Sequence, residues 1–406
     1  MHILLIHQSF AALDEAGGTR HAEFARYLIQ HGHRVTIIAG QVSYLSGAAS
    51  AGTGWMQRNS PQPGLEILRT YTYPALHKSF VHRLFSFISF MVSSFLVGLS
   101  VRQVDLVWGT SPPIFQAVTA WLLARLKRVP FLFEVRDLWP AFAIAVGVLR
   151  NPILIRASLW LEGFLYRRAD RLVVNSPGFI DHVTHRGARW VELVPNGADT
   201  SMFDPQSDGL DFRWKHRLEG YFLALYAGAH GVSNDLTVIL EAAERMQAEE
   251  RVRFVLVGDG KEKANLIAET QARGLQNVCF IPPVPKNEMP AVLAAADACI
   301  AILKPLEMYK TTYPNKVFDY MAAGRPVVLA IDGVVRSVVE SAHAGIFTPP
   351  GNPSALANAV KYLLDNPEQA CQMGLTGRQY IERHLDRNLI AEQFALLLKE
   401  QRENNG

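Results

Sequence analysis

Short apolar, β-branched runs alternate with helix-length segments from one end of this chain to the other, and that rhythm restricts the fold more than any other feature. Seven runs fall in the first half, at 3–6, 35–39, 65–69, 106–109, 131–135, 172–174 and 191–194. Five follow, at 222–227, 252–257, 278–281, 298–303 and 327–330. A strand apolar on both sides must be covered on both faces, so such runs separated by helices predict an α/β protein of parallel sheets packed between helices. Twelve strands are more than one ordinary doubly wound sheet holds, and two sheets of five to seven strands are expected.

The joint is expected at 196–212. Pro195-Asn-Gly-Ala-Asp199 closes the last run of the first half, and a polar stretch with Pro205 and Asp208 follows. Clusters of this composition mark loops and linkers. The pattern predicts an N-terminal Rossmann-like domain over 1–200 and a C-terminal one over 201–384. A last helical stretch within 385–406 is expected to pack back onto the first domain. With 49% apolar and 19% charged residues among 406, there is material for two buried cores, and only the polar tail 401–406 reads as disordered.

The net charge of +3 hides an asymmetry. Residues 1–200 carry 19 Lys+Arg against 12 Asp+Glu, whereas 201–406 carry 21 against 25. A basic N-terminal half suits an anionic partner such as a membrane surface, and equally suits an ordinary solubilising surface. Arg-rich nucleic-acid motifs are absent, so nucleic acid is not expected as a partner. Cys279, Cys299 and Cys371 are far apart and lack metal-ligand spacing, which fits a reducing compartment and no zinc site. The opening His2-Ile-Leu-Leu-Ile-His7 lacks the basic leader and cleavage site of a signal peptide and reads as a buried strand, which predicts a cytoplasmic protein.

Residues 84–101 form an eighteen-residue stretch without a charge, bounded by Arg83 and Arg102. Length alone permits a membrane span. The segment, however, joins the runs 65–69 and 106–109 of one expected sheet, and a span would separate them across a bilayer. A buried crossover helix remains, or a helix lying at a membrane surface with Lys78, His82 and Arg83 near headgroups. Four phenylalanines in need of an apolar partner favour the second, which predicts peripheral association with the inner face of the cell membrane.

Four motifs could carry chemistry. Gly17-Gly18 precedes a helical run, where backbone amides can approach a phosphate; a plain loop explains it as well, since Gly-x-Gly-x-x-Gly is missing. Glu134-Val-Arg-Asp-Leu-Trp-Pro140 sets charges at the carboxyl end of a strand, where open α/β sheets bind ligands; an Arg136–Asp137 loop salt bridge is the bland alternative. Val255-Leu-Val-Gly-Asp-Gly260, followed by Lys261 and Lys263, resembles a nucleotide-binding turn without its third glycine. The most informative is Tyr313-Pro-Asn-Lys-Val-Phe-Asp-Tyr-Met-Ala-Ala-Gly-Arg-Pro-Val327. Pro314 suits a helix start, and Lys316 in the first turn opposes the helix dipole. A bound anion would offset that cost. Asp319, one turn on, can accept bonds from two sugar hydroxyls; an (i, i+3) surface pair is the alternative.

Together these motifs resemble the retaining glycosyltransferases of family 4, whose architecture, called GT-B, is two Rossmann-like doubly wound domains with a cleft between them. The resemblance covers nearly the whole chain. It rests on Gly17-Gly18, Pro195-Asn-Gly-Ala-Asp199, Val257-Gly-Asp-Gly260, Ala294-Ala-Ala-Asp297 and Asp319-Tyr-Met-Ala-Ala-Gly-Arg-Pro-Val327. Ser111-Pro-Pro113, Arg136-Asp-Leu-Trp-Pro140 and Pro314-Asn-Lys316 are similar to the bacterial surface-polysaccharide group that includes O-antigen N-acetylfucosamine transferases.

The resemblance implies a nucleotide-sugar donor, with UDP expected, held by Gly17, Gly18, His230, Gly258, Lys261, Pro285, Asn315, Lys316 and Asp319. It implies an acceptor side at Glu134, Arg136, Asp137 and Trp139, and catalytic roles for Lys316, Asp137, Arg136 and Gly18. Three positions depart from the family. Its first motif glutamate falls at Thr311; its diphosphate-binding Arg and Lys are missing from Gly228-Ala-His-Gly-Val-Ser-Asn-Asp235; and its His-Asp pair reads Arg136-Asp137. Lys316, Lys261 and His230 are the candidates to replace the missing cations. The implied reaction retains configuration, takes the acceptor's proton on the departing phosphate and needs no cofactor or divalent metal. The implied acceptor is a polyprenyl-diphosphate-linked saccharide of O-antigen, capsule or exopolysaccharide assembly. A nucleotide-sugar 2-epimerase of the same fold and a non-catalytic membrane-associated partner of a polysaccharide complex are the competing readings.

Overall fold

The computed structural model describes residues 1–13, 15, 18–42, 54–74 and 80–403; Gly17 and Lys78 lie outside them. Two compact units emerge. Unit 1 is Met1–Ala12, Gly17–Pro195 and Ile390–Gly406, and unit 2 is Leu13–Ala16 and Asn196–Leu389. The chain therefore changes unit at Pro195, at the start of the 196–212 stretch, and again at Leu389.

Unit 1 contains β1 (His2–Ile6), β2 (Arg34–Gly40), β3 (Met56–Gln62), β4 (Leu65–Thr70), β5 (Leu106–Ser111), β6 (Phe131–Val135), β7 (Arg171–Val174) and β8 (Val191–Leu193). They lie in the order β3-β4-β2-β1-β5-β6-β7-β8. Eight strands exceed the five to seven expected, and the extra one is β3. It pairs antiparallel to β4 at the sheet edge, and its sequence, Met-Gln-Arg-Asn-Ser-Pro-Gln, is largely exposed. An edge strand wetted on both faces has no apolar pattern to betray it, and Pro61 removes a donor that a central strand would need.

Two helix layers cover this sheet. Trp108 of β5 meets Phe394 of the C-terminal helix Arg387–Glu403 at 4.8 Å, and Phe394 stacks on Phe24 of α1 (Arg20–Gln30) at 5.2 Å. Adjacent strand residues point to opposite faces, and Gly109 accordingly meets α3 (Phe115–Lys127). A Cβ there would lie 2.6 Å from that of Ala120, so only glycine admits the helix. Beside α3 runs α2 (Phe80–Ser100), the crossover from β4 to β5. It takes something from each sequence alternative, since one side is buried and the other is open.

Unit 2 contains β9 (Phe222–Ala227), β10 (Val252–Val257), β11 (Val278–Ile281), β12 (Ala298–Ile302), β13 (Val327–Ala330) and β14 (Gly345–Phe347), all parallel, in the order β11-β10-β9-β12-β13-β14. Its core includes Leu240, Phe254, Ile300, Val328 and Val360, each fully buried. After β9 the chain turns one way to β10, and β12 returns on its other flank. The sheet's switch point therefore lies between β9 and β12, and the crevice outside the carboxyl ends there is where such sheets bind ligands.

Candidate functional site

The carboxyl ends of β9 and β12 gather unit 2's candidates. Gly228, directly after β9, holds φ near +147°, and a Cβ there would lie 2.6 Å from Lys316 Nζ. Lys316 comes from the first turn of the helix Asn315–Ala322, which opens behind Pro314. Its ammonium donates to Tyr226 Oη at 2.7 Å and sits 3.9 Å above that ring. Tyr226 Oη in turn donates to the Ala229 carbonyl at 2.8 Å. Among the described residues no carboxylate meets this lysine, and burial drives its pKa down to about 7. A desolvated ammonium with no carboxylate beside it among the described residues can take an anion as its counter-ion.

His230 and Asn315 strengthen that reading. His230 is fully buried, and among the described residues neither ring nitrogen has a partner; Asn315 Oδ1 is likewise buried and unpaired there. Orphaned buried polar atoms are costly, and a ligand, ion or water that satisfies them is one reason they persist. Burial, followed by the charges of Lys263 and Lys316, lowers the His230 pKa to about 4. This corrects the expectation of a replacement cation: His230 is neutral near pH 7 and offers one N–H. Gly258 lies beside it, at 3.3 Å from His230 Nε2 to a built Cβ, with φ near +147°.

Two lysines follow this turn, and they are placed differently. Lys261 is exposed, with no bonded partner among the described residues, whereas Lys263 folds back and donates to the Gly258 carbonyl at 2.7 Å. Lys263 therefore braces the glycine turn. Lys316 and Asp319 do not pair with each other, as the surface-pair alternative would require. Asp319 accepts from Lys286 Nζ at 2.6 Å, and both side chains are about one-seventh exposed. Lys286 follows Pro285, so Pro285 and Asp319 are drawn together by a residue that sequence reasoning missed. Thr311 donates to the Met308 carbonyl of its own turn at 2.7 Å.

Unit 1 treats its charges differently. Glu134 closes β6 and is fully buried. Its two oxygens accept from Arg20 Nε at 2.9 Å and His21 Nε2 at 2.6 Å. Burial alone would raise its pKa, but His21 and Arg20 outweigh that and hold the carboxyl far below the usual range. Arg20 also donates to the Val194 and Pro195 carbonyls, both at 2.6 Å. The expected acceptor role of Glu134 is thereby corrected: it clamps α1 and the chain after β8. Arg20 and His21 went unnoticed because their partner lies more than a hundred positions away.

Asp137 and Arg136 follow β6 half-buried. The Arg136 N–H donates to the Ser111 carbonyl at 3.2 Å. Burial lifts the Asp137 pKa to about 7, against the pull of Arg136 and the Leu138 N–H. A carboxyl tuned to neutrality is suited to exchanging a proton. Trp139 meets Phe115 at 6.0 Å. Gly18 is exposed, and a Cβ there would meet nothing within 4 Å, so no close packing in the protein requires glycine. Among the described residues no group of three or more His, Cys, Asp or Glu is placed to hold a metal.

Two α/β sheets, parallel but for the edge strand β3, and a buried lysine at the switch point of the second are the features that comparison with known proteins can place. The model "Glycosyl transferase 4-like domain" matches 16–197, and "Glycosyl transferases group 1" matches 222–366. WcaI of Escherichia coli K12, named as a colanic acid biosynthesis glycosyl transferase, is 23% identical over 385 residues, covering 92% of this chain and 93% of that one. Sucrose-phosphate synthase from Thermosynechococcus elongatus superposes with a TM-score of 0.79 at 17% identity, covering 98% of both chains. Anabaena Alr3699/HepE, solved with UDP-glucose, gives 0.73 at 16%, covering 98% of this chain and 100% of that one. The chain belongs to the family 4 glycosyltransferases and has the GT-B fold.

Proposed function

We propose that this enzyme transfers a sugar, an N-acetylated deoxyhexosamine or a hexose, from a UDP-sugar to a polyprenyl-diphosphate-linked saccharide during bacterial surface-polysaccharide assembly. Configuration is retained, no metal is needed, and the protein works at the inner face of the cell membrane. The observation that carries the reading is Lys316, desolvated and without a carboxylate at the switch point of unit 2. The leaving group of a nucleotide-sugar is a diphosphate, and this ammonium supplies the charge it lacks. His230 and Asn315 add neutral contacts, and Asp319, once released from Lys286, accepts from ribose hydroxyls. The departing phosphate takes the acceptor's proton, so the protein's part is chiefly electrostatic.

The relatives support the same direction. WcaI is named for colanic acid biosynthesis, and HepE is solved with UDP-glucose. Nothing observed favours the epimerase or the non-catalytic partner over this reading. The test incubates the full-length protein with UDP-sugars and a polyprenyl-diphosphate saccharide in EDTA. UDP release that depends on acceptor, with the donor's anomeric configuration kept in the product by NMR, is expected. Inversion, or activity only after a divalent metal is added, contradicts it.

A further inference from the structure

We propose that the layer formed by α2, α3 and the helix Pro152–Arg168 docks on an anionic phospholipid surface, with α2 lying in the interface.

The amphipathicity of α2 is inside out. Ser86, Ser93 and Ser94 are fully buried. Ser93 Oγ donates to the Tyr71 carbonyl at 2.7 Å, and Ser89 Oγ accepts from the Tyr73 N–H at 2.9 Å. Outward point Val81, Phe85, Ile88, Val92, Leu96 and Leu99, each 38–58% exposed. Steps of three and four make them one stripe. A helix bordering water carries its polar residues outside, so this stripe is shaped for a non-aqueous neighbour. It cannot span a bilayer, because β4 and β5 at its two ends belong to one sheet.

The stripe continues across its neighbours. Phe87 meets Phe115 at 5.9 Å, and Thr119 Oγ1 donates to the Met91 carbonyl at 3.0 Å, joining α2 to α3. Trp121 meets Phe164 at 5.0 Å, joining α3 to Pro152–Arg168. Leu126, Ile153 and Trp160 are exposed on these two helices.

Charge identifies the occupant. The three helices contain a single acidic residue, Glu162, which is fully buried and bonded by His182 and Arg186. Arg125, Arg128, Arg156, Arg167 and Arg168, on or at the ends of the two neighbouring helices, are exposed and none is ion-paired among the described residues. An apolar stripe with exposed guanidinium groups on the helices beside it matches acyl chains bordered by lipid phosphates. A second copy of the same face would bring like charges together. The purpose of this surface rests on the lipid-linked acceptor proposed above; its evidence does not.

The test is co-sedimentation of the full-length protein with vesicles of phosphatidylcholine alone or mixed with phosphatidylglycerol. One variant combines Phe85→Ser, Val92→Ser and Leu96→Ser; another combines Arg125→Glu, Arg128→Glu and Arg156→Glu. The wild type should bind anionic vesicles at least about tenfold more tightly than neutral ones and weaken with salt. Each variant should lose about tenfold while keeping the UDP-induced melting shift. Equal binding to both vesicles, or no vesicle binding together with dimerisation that the serine variant abolishes, overturns the proposal. Vesicle binding in a wild type that ignores UDP supports this docking face and counts against the donor reading alone.

Discussion

The carboxyl edges of the two sheets handle buried charge in opposite ways. In unit 1, Glu134 is fully buried yet completely engaged by Arg20 and His21. In unit 2, Lys316 lies against a phenol and a ring face, with the orphaned nitrogens of His230 in a neighbouring loop. Such pairing marks a structural clamp, because the carboxylate's charge is already met by the protein's own buried partners. On the function proposed above, the deficit is where the donor binds, the cost of desolvation being offset when an anion arrives.

Breaking the clamp should have the largest effect. Glu134→Ala leaves Arg20 buried without its carboxylate and should cost about 3–5 kcal/mol in urea unfolding. A loss under about 1 kcal/mol would put Glu134 on the same footing as a surface pair. Lys316→Ala should lower turnover about 10²–10³-fold while the folded state persists by circular dichroism. Lys316→Met removes an unpaired desolvated charge, so Tm without ligand should rise by about 2–4 °C; a fall would make the lysine part of the scaffold.

Two smaller effects sharpen the same contrast. Asp319→Ala removes a charged acceptor and should weaken UDP binding about tenfold to a hundredfold by calorimetry. An unchanged affinity would leave Asp319 as merely the partner of Lys286. The pH dependence follows from the sign of the lysine shift. Below about pH 7 Lys316 is already charged, whereas above it the unliganded site must take up a proton to meet the diphosphate. UDP affinity should therefore fall by up to about tenfold per pH unit above pH 7. Lys316→Met should abolish that slope. The same shift means that the folded protein binds fewer protons than the unfolded chain between about 7 and 10.5, so this group's contribution to stability rises with pH across that window. Asp137 acts in the opposite sense: its raised pKa favours folding in acid, an advantage lost as pH climbs from 3.8 to about 7.

Sequence was a good guide where information is local. The runs at 131–135, 222–227, 252–257, 278–281 and 327–330 coincide with β6, β9, β10, β11 and β13, because strands covered on both faces are mostly apolar. Lys316 was legible for a related reason, as a cation set against its own helix dipole. The same argument applied to Arg20-His21 at the start of α1 would have flagged the clamp. Its meaning, however, depends on Glu134, which only the fold brings near. Lys286 carried no local signal at all, and Lys261 was preferred over Lys263 although two residues along a turn decide which amine points outward. β14, three residues long, and the polar β3 are too short or too wet to be read from pattern.

The most direct test is thermal unfolding of the full-length protein with UDP in EDTA, comparing the wild type with Lys316→Met. At a hundred times its dissociation constant UDP should stabilise the wild type by about 2.7 kcal/mol, and the variant should respond far less. A wild type that melts at the same temperature with and without UDP, or a variant that responds equally, would contradict an anion site built around Lys316.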